Sequence, residues 1–261
     1  MGTALVTGAT SGIGEEFCWQ LAAGGHDLVL VARSEATLHR LAERLHAYAG
    51  IRAEVIVTDL ANPDQLARVA ERLDVGGAEV GASALKPVDL LVNNAGFGLG
   101  TSFPDNDLNA ELYGLDVMVR AVMVLSHHAT RSMRVRHRGA IINTASVASR
   151  TGAGTYSAHK AWVVAFTEGL SEELRGSGVT ATAVMPGPVR TEFFTKAGVD
   201  MEEMPDAFLA TPEEVVTAGL GAVRRGKVLV TPTVPAKVGM ALMKFAPRSL
   251  TRRVMRAVPH M

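Results

Sequence analysis

The sequence predicts a single doubly wound α/β domain, a parallel sheet with helices on both faces, and three observations predict it. Short β-rich runs alternate with helix-period runs almost from end to end, the pattern of repeated strand-helix-strand units. A glycine-rich turn joins the first strand run to the first helical run. The 261 residues are 48% hydrophobic, enough for one core-bearing domain, and neither a repeat nor a linker divides them.

The first strand is expected over residues 4–7, leading into Thr7-Gly8-Ala9-Thr10-Ser11-Gly12-Ile13-Gly14. Glycines suit this turn because it takes positive φ and because a side chain would hold the backbone away from a bound pyrophosphate. The free N–H groups at the start of the next helix, whose apolar side is Ile13, Phe17 and Leu21, would then meet the anion. A second strand over 27–32 precedes Leu38, Leu41 and Leu45, and a third over 53–57 precedes Leu66, Val69 and Leu73. Spacings of three and four put each set on one helix face. Residues 76–87, rich in Gly and Ala and without a period, read as a surface loop before a fourth strand over 89–93. Strands five and six, over 140–145 and 179–185, flank a helical run through Val163, Phe166, Leu170 and Leu174. Thr211, Pro212, Glu213 and Glu214 combine an N-cap hydroxyl, a first-turn proline and a glutamate three residues after the cap, which starts a helix reaching about residue 225. A seventh strand over 227–231 ends the series.

Composition narrows the function. Lys+Arg and Asp+Glu both number 26, so no overall field attracts a phosphate polymer, and no nucleic-acid partner is expected. The lone cysteine, Cys18, makes no internal disulfide, and no apolar run reaches 18 residues. With a strand pattern by Ala4 and no charged segment before it, neither a signal peptide nor a spanning helix is expected, and the cytoplasm is the default location.

Further motifs stand at successive strand ends: Asp59-Leu60 after the third, Asn93-Asn94-Ala95-Gly96 after the fourth, Ser146 after the fifth, then Tyr156 with Lys160, and Pro186-Gly187-Pro188-Val189-Arg190-Thr191 after the sixth. With the TGxxxGxG spacing of the first turn, the stretch 4–191 resembles the short-chain dehydrogenase/reductase family. The resemblance implies a Rossmann-type sheet in the order 3-2-1-4-5-6-7 and a nicotinamide dinucleotide. It would lie over Gly8, Thr10, Ser11, Gly12, Ile13 and Gly14, with Asp59 and Leu60 at the adenine and Asn93, Ala95 and Gly96 along the adenosine ribose. Pro186 and Gly187 would contact it as well, and Val189 and Thr191 would reach the nicotinamide amide. Tyr156 would be the general acid/base, Lys160 would lower its pKa and hold the ribose, and Ser146 would bond the reacting oxygen. Tyr156 and Lys160, four apart, share a helix face, and an ammonium nearby stabilises a phenolate. The second strand ends Val31-Ala32-Arg33-Ser34, with no carboxylate to repel a 2′-phosphate and with Arg33 able to pair with one, so NADP(H) is expected. The implied reaction moves a hydride between nicotinamide and a carbonyl or secondary alcohol, in a homodimer or homotetramer.

Two departures matter. Ser146 and Tyr156 are only 10 residues apart, two or three fewer than the family usually has, which removes part of one substrate wall. Where the family commonly keeps an asparagine that positions a water for proton relay, this sequence has Met118, and a thioether cannot hold that water. Asp116 faces elsewhere. An alternative is therefore a cofactor-binding sensor or scaffold with little turnover. His127, His128 and His159 read as structural or solvated, with an approach to the site left open for His159 alone, between Tyr156 and Lys160, and no metal-ligand spacing occurs.

The catalytic domain is expected over 1–235, with a substrate lid near 192–212 and a basic extension over 236–261. Phe193, Phe194, Met201, Met204, Phe208 and Leu209 in the lid suit a lipophilic carbonyl. After Glu214 come nine cationic residues and no carboxylate, leaving −9 before and +9 after. Leu250, Val254 and Val258 oppose Arg248, Arg252 and Arg256 on a helix that would lie on an anionic membrane or pack against the acidic remainder.

Overall fold

Residues alternate between two apolar layers along the central strands, as a two-residue period requires when helices cover both faces. Ala4, Val6, Leu28 and Leu30 face one layer, and Leu5, Val29 and Val31 face the other. The strands are β1 (Thr3–Thr7), β2 (Asp27–Ala32), β3 (Ala53–Val57), β4 (Val88–Asn93), β5 (Gly139–Thr144), β6 (Val179–Val184) and β7 (Leu229–Val230). They form one parallel sheet, ordered β3-β2-β1-β4-β5-β6-β7, in a computed structural model that describes residues 2–75, 85–152, 154–191, 193 and 205–245.

The first layer packs under α1 (Gly12–Ala23) and α2 (Glu35–Ala49), with Phe17, Leu38, Leu41 and Leu45 buried there. The second lies under α3 (Pro63–Asp74), which supplies Leu66, Val69 and Leu73 as their spacing predicts. Beside α3 runs a long helix in two parts, α4 (Leu108–Leu115) and α5 (Ala121–Val135), joined by a π turn over Asp116–Arg120. The helix α6 (Gly154–Glu173) completes this face. On the first face, α7 (Pro212–Arg224) begins with the expected capping box between Thr211 and Glu214.

Strands β2 and β3 have the expected bounds, whereas β7 shrinks from five residues to two. As an edge strand it pairs only with β6, through Ala183–Leu229 and Val184–Val230. The helix α8 (Val234–Phe245) crosses the boundary expected at 235/236, and its Met240 joins Val163, Val164 and Met185 in a third apolar cluster. The start of the basic extension thus packs on the domain. The rest of it, including Arg248, Leu250, Arg252, Val254, Arg256 and Val258, lies outside the described residues, as do residues 76–84 and the lid residues Phe194, Met201 and Met204. Among the described residues no helix is long and apolar enough to cross a membrane. Cys18 is fully buried, and burial pushes its thiol up.

Candidate active site

The carboxyl ends of the central strands bring the predicted residues into two groups. In the first, Gly8 and Gly12 turn the chain at φ +66° and +52°, and a Cβ on Gly12 would lie 3.0 Å from the Thr191 methyl. Gly14 is required for a different reason: a Cβ there would fall 2.0 Å from the Gly8 carbonyl oxygen and 2.6 Å from Asn94 Nδ2. Its bareness lets α1 start against the end of β1. Ser11 holds the N-cap position without a side-chain cap bond, so its hydroxyl does not occupy the helix N-terminus. Thr10 lies in the turn, while Ile13 packs into the apolar layer below. A cradle so close to backbone fits a dinucleotide diphosphate, which the helix N-terminus favours.

Arg33, just past β2, is exposed and donates from Nη1 to the Tyr113 hydroxyl at 3.0 Å; that hydroxyl donates in turn to Asp59 Oδ1 at 3.0 Å. Burial and the bond to Asp59 raise the Tyr113 pKa, and Arg33 opposes them. Leu60 is buried beside Asp59. The side chain of Asn93 does not reach the sheet edge. It lies within the sheet, donating to Ser126 Oγ at 3.1 Å and to Asn143 Oδ1 at 2.9 Å across the β4–β5 ladder. Only its backbone is left for a ribose. Asn94 instead fastens the edge, with Nδ2 donating to the Thr7 carbonyl at 3.3 Å and Oδ1 accepting from Thr144 Oγ1 at 3.3 Å. Ala95 N donates to Thr7 Oγ1 at 3.1 Å, and a Cβ on Gly96 would lie 3.4 Å from Lys160 Nζ.

The second group is Ser146, Tyr156 and Lys160. Ser146 caps a 3₁₀ turn over Val147–Arg150, its Oγ accepting from Ala148 N at 3.1 Å, and this compact turn lets the shortened connection return Tyr156 to Ser146. Ser146 stands close enough to Tyr156, which is 5% exposed, to act on its hydroxyl. Lys160 Nζ donates to the Thr144 carbonyl at 2.8 Å and lies 5.7 Å from the Tyr156 ring centroid. The expected effect of Lys160 on the phenol is not what these residues produce alone. Burial pushes Tyr156 above its usual 10, opposed only by the nearby Ser146 hydroxyl, a donor that favours the phenolate. Burial also pulls Lys160 down to about 8, because the ammonium too has lost its water. The rest of the lowering implied for Tyr156 would have to come from a cationic ligand.

Phe193 lies 5.7 Å from the Tyr156 ring, Val189 is buried and bridges to Ala210, and Pro186 O accepts from Val147 N at 3.0 Å. Gly187 faces α8, where a Cβ would meet Ala236 Cβ at 3.3 Å. Met118 sits in the π turn, 1% exposed, while Asp116 turns away to pair with Arg120 at 2.9 Å. Sequence reasoning missed Asn94, Thr144 and Tyr113; the first lay inside a quoted motif, and the other two carry no local signal.

The sequence model of the short chain dehydrogenase family matches residues 2–202. An uncharacterized oxidoreductase of Bacillus subtilis (strain 168), YmfI, is 33% identical over 228 residues, 83% of this chain and 88% of that protein. A short-chain dehydrogenase from Sphingobium yanoikuyae, solved in complex with NADPH, superposes with a TM-score of 0.83 at 30% identity, covering 99% of this chain and 96% of that one. A short chain dehydrogenase/reductase from Burkholderia phymatum in complex with NAD gives 0.78 at 26% identity, covering 92% of each chain.

Proposed function

The chain belongs to the short-chain dehydrogenase/reductase family, and on that premise we propose that it is an NADP(H)-dependent oxidoreductase of lipophilic carbonyls and secondary alcohols. One observation carries the reading: buried Tyr156 near Ser146 and beside buried Lys160, whose Nζ lies 5.7 Å from the tyrosine ring centroid, at the carboxyl edge of the sheet. A bound nicotinamide supplies or accepts the hydride. Ser146 orients the substrate oxygen, Tyr156 gives it or takes from it a proton, and the ring of Phe193 beside Tyr156 offers an apolar wall to the carbonyl's substituents. In this reading residues 1–235 form the catalytic domain, with α8 bordering the site at Gly187. The exposed apolar residues Leu108, Leu112, Leu115 and Met123 along α4 and α5 favour a homo-oligomer. A cytoplasmic location agrees with the single, buried cysteine.

The solved relatives include both an NADPH and an NAD complex, so the preference for NADP(H) rests on Arg33 at the end of β2. Arg33→Asp should weaken NADPH binding on the order of 100-fold and NADH binding little, since a charge-assisted bond is worth about 1.5–3 kcal/mol. Equal losses in fluorescence titrations of both cofactors would sink the assignment. Buried Met118 at the relay position favours one other reading, a cofactor-binding sensor. Steady NADPH oxidation with a panel of carbonyls, lowered about 1000-fold in Tyr156→Phe, decides for the enzyme. Tight cofactor binding without turnover decides for the sensor, and activity confined to short polar carbonyls overturns the lipophilic substrate.

A further inference from the structure

Met118 packs beside Lys160. A Cβ on Gly96 would lie 3.5 Å from Met118 Cγ and Sδ and 3.4 Å from Lys160 Nζ, so thioether and ammonium flank the same glycine. Sulfur of this kind is a weak acceptor and no donor. A proton travelling to or from Lys160 needs another carrier.

α6 carries two pairs of residues spaced by four. Tyr156 and Lys160 form one, and Thr155 and His159, each one residue earlier and turned about 100° around the helix, form the other. The second pair meets α4. A Cβ on Gly114 would lie 3.6 Å from His159 Cε1 and 3.5 Å from Met118 Cε, so the imidazole stands against the same helix face as Met118. One turn earlier on that face, Glu111 is 6% exposed, its carboxylate accepting from Thr155 Oγ1 at 2.5 Å and from Asn106 Nδ2 at 2.8 Å. His159 is 8% exposed, and its buried Nδ1 has no hydrogen-bond partner among the described residues. Buried nitrogens of this kind are rare enough to require a reason.

Resting on the enzymatic reading above, we propose that His159, backed by Glu111, carries protons between Lys160 and solvent in place of the water that the family's asparagine holds. During carbonyl reduction the Tyr156 O–H bond breaks and its proton joins the substrate oxygen. The Lys160 ammonium returns a proton to the phenolate, His159 restores the lysine through a bridging water on its free nitrogen, and bulk water restores His159. One proton leaves solvent for each alcohol formed, and oxidation runs the chain in reverse. Burial lowers the imidazole pKa below its usual 6.5, Glu111 raises it and Lys160 lowers it again. The carboxylate thus offsets part of the effect of burial.

The test compares the whole protein with His159→Ala and Glu111→Gln, using a carbonyl that the wild type reduces. The proposal expects kcat to fall on the order of 100-fold in His159→Ala, at the low end for a positioned proton-transfer group, with the KM for NADPH unchanged. The solvent deuterium isotope effect on kcat should grow, and added imidazole, or Met118→Asn in the same chain, should restore turnover. Glu111→Gln keeps the size of its side chain, loses the charge and should show the same split between kcat and KM. It decides the matter if His159→Ala does not fold. Wild-type kcat in both folded variants would overturn the relay, as would a loss that neither imidazole nor Met118→Asn recovers. A wild type that turns over nothing overturns the enzymatic reading, and the relay with it. Turnover lost in Tyr156→Phe but left at the wild-type rate in His159→Ala and Glu111→Gln sinks the relay alone.

Discussion

At the turn between β1 and α1 the candidate site is made of backbone, whereas between α4 and α6 it is made of buried side chains. Gly8, Gly12 and Gly14 shape the first by conformation and close approach, and their nearest neighbours include main-chain atoms of Gly8 and Ala95. Met118, Glu111, His159 and Lys160 form the second, all less than a tenth exposed. Backbone geometry tolerates almost no added atom, since a carbonyl cannot change rotamer. Side-chain packing yields to a small insertion but is sensitive to charge. The two regions should therefore break in different ways.

The sharpest contrast is one methyl group placed in each. Gly14→Ala puts a Cβ 2.0 Å from the Gly8 carbonyl oxygen, so α1 or the first turn must move. The loss expected is above about 4 kcal/mol, the range reserved for severe lesions, read as a collapsed thermal midpoint by circular dichroism. Gly114→Ala meets only side-chain atoms, Leu99 Cδ2 at 3.3 Å being the nearest. Alanine is the better helix former by about 1 kcal/mol, so this protein should melt at the same temperature or higher. Similar losses in both would erase the distinction.

A second contrast is electrostatic. Lys160 is held at about 8 by burial, against 10.5 when exposed. Between those pH values the unfolded chain binds the extra proton, so wild-type stability gains with rising pH there, and below about pH 8 the buried ammonium is destabilising. Lys160→Met should raise stability near pH 7 by about 2 kcal/mol, allowing for the lost bond to Thr144, and the advantage should shrink toward pH 10. Urea midpoints of both proteins across that range check the sign. An advantage that stays constant with pH would mean that Lys160 does not titrate in this window.

This division explains what could be read in advance. β2 and β3 have the expected bounds because their apolar runs meet a partner strand along their whole length, and the sheet order is the one that the family resemblance implies. The glycine turn and Ser146 stand at the predicted strand ends, and Tyr156 and Lys160 one turn apart on α6, because strand-turn-helix geometry is local. Glu111 gave no signal, since a carboxylate in an amphipathic helix reads as surface; its bond to Thr155, 44 residues away, makes it a buried group. His159 reads in sequence as structural or solvated, its place between Tyr156 and Lys160 leaving an approach to the site open, and nothing near it in sequence announces α4. Asn93 shows the limit from the other side, since its motif stood where expected while its amide belongs to the sheet interior.

The smallest expected effect tests whether the dinucleotide end also depends on a side-chain pairing. Arg33 and Asp59 are tied through the Tyr113 hydroxyl, from partners 80 and 54 residues distant, so neither neighbour in sequence predicts the tie. An exposed arginine has many rotamers, and fixing it beforehand removes part of the ordering cost when an anion binds. Tyr113→Phe removes only the hydroxyl and leaves the ring against Phe97, whose centroid is 5.5 Å away. NADPH affinity should fall about fivefold, the value of one hydrogen bond near 1 kcal/mol, and NADH affinity should not change. In Tyr113→Phe combined with Arg33→Asp, the effect of the first substitution should vanish, because the donor it positioned is gone. Additive losses would detach Tyr113 from Arg33. Tighter NADPH binding in Tyr113→Phe alone would mean that the hydroxyl competes with the phosphate for the guanidinium, which would make that end of the site, too, one that side chains control.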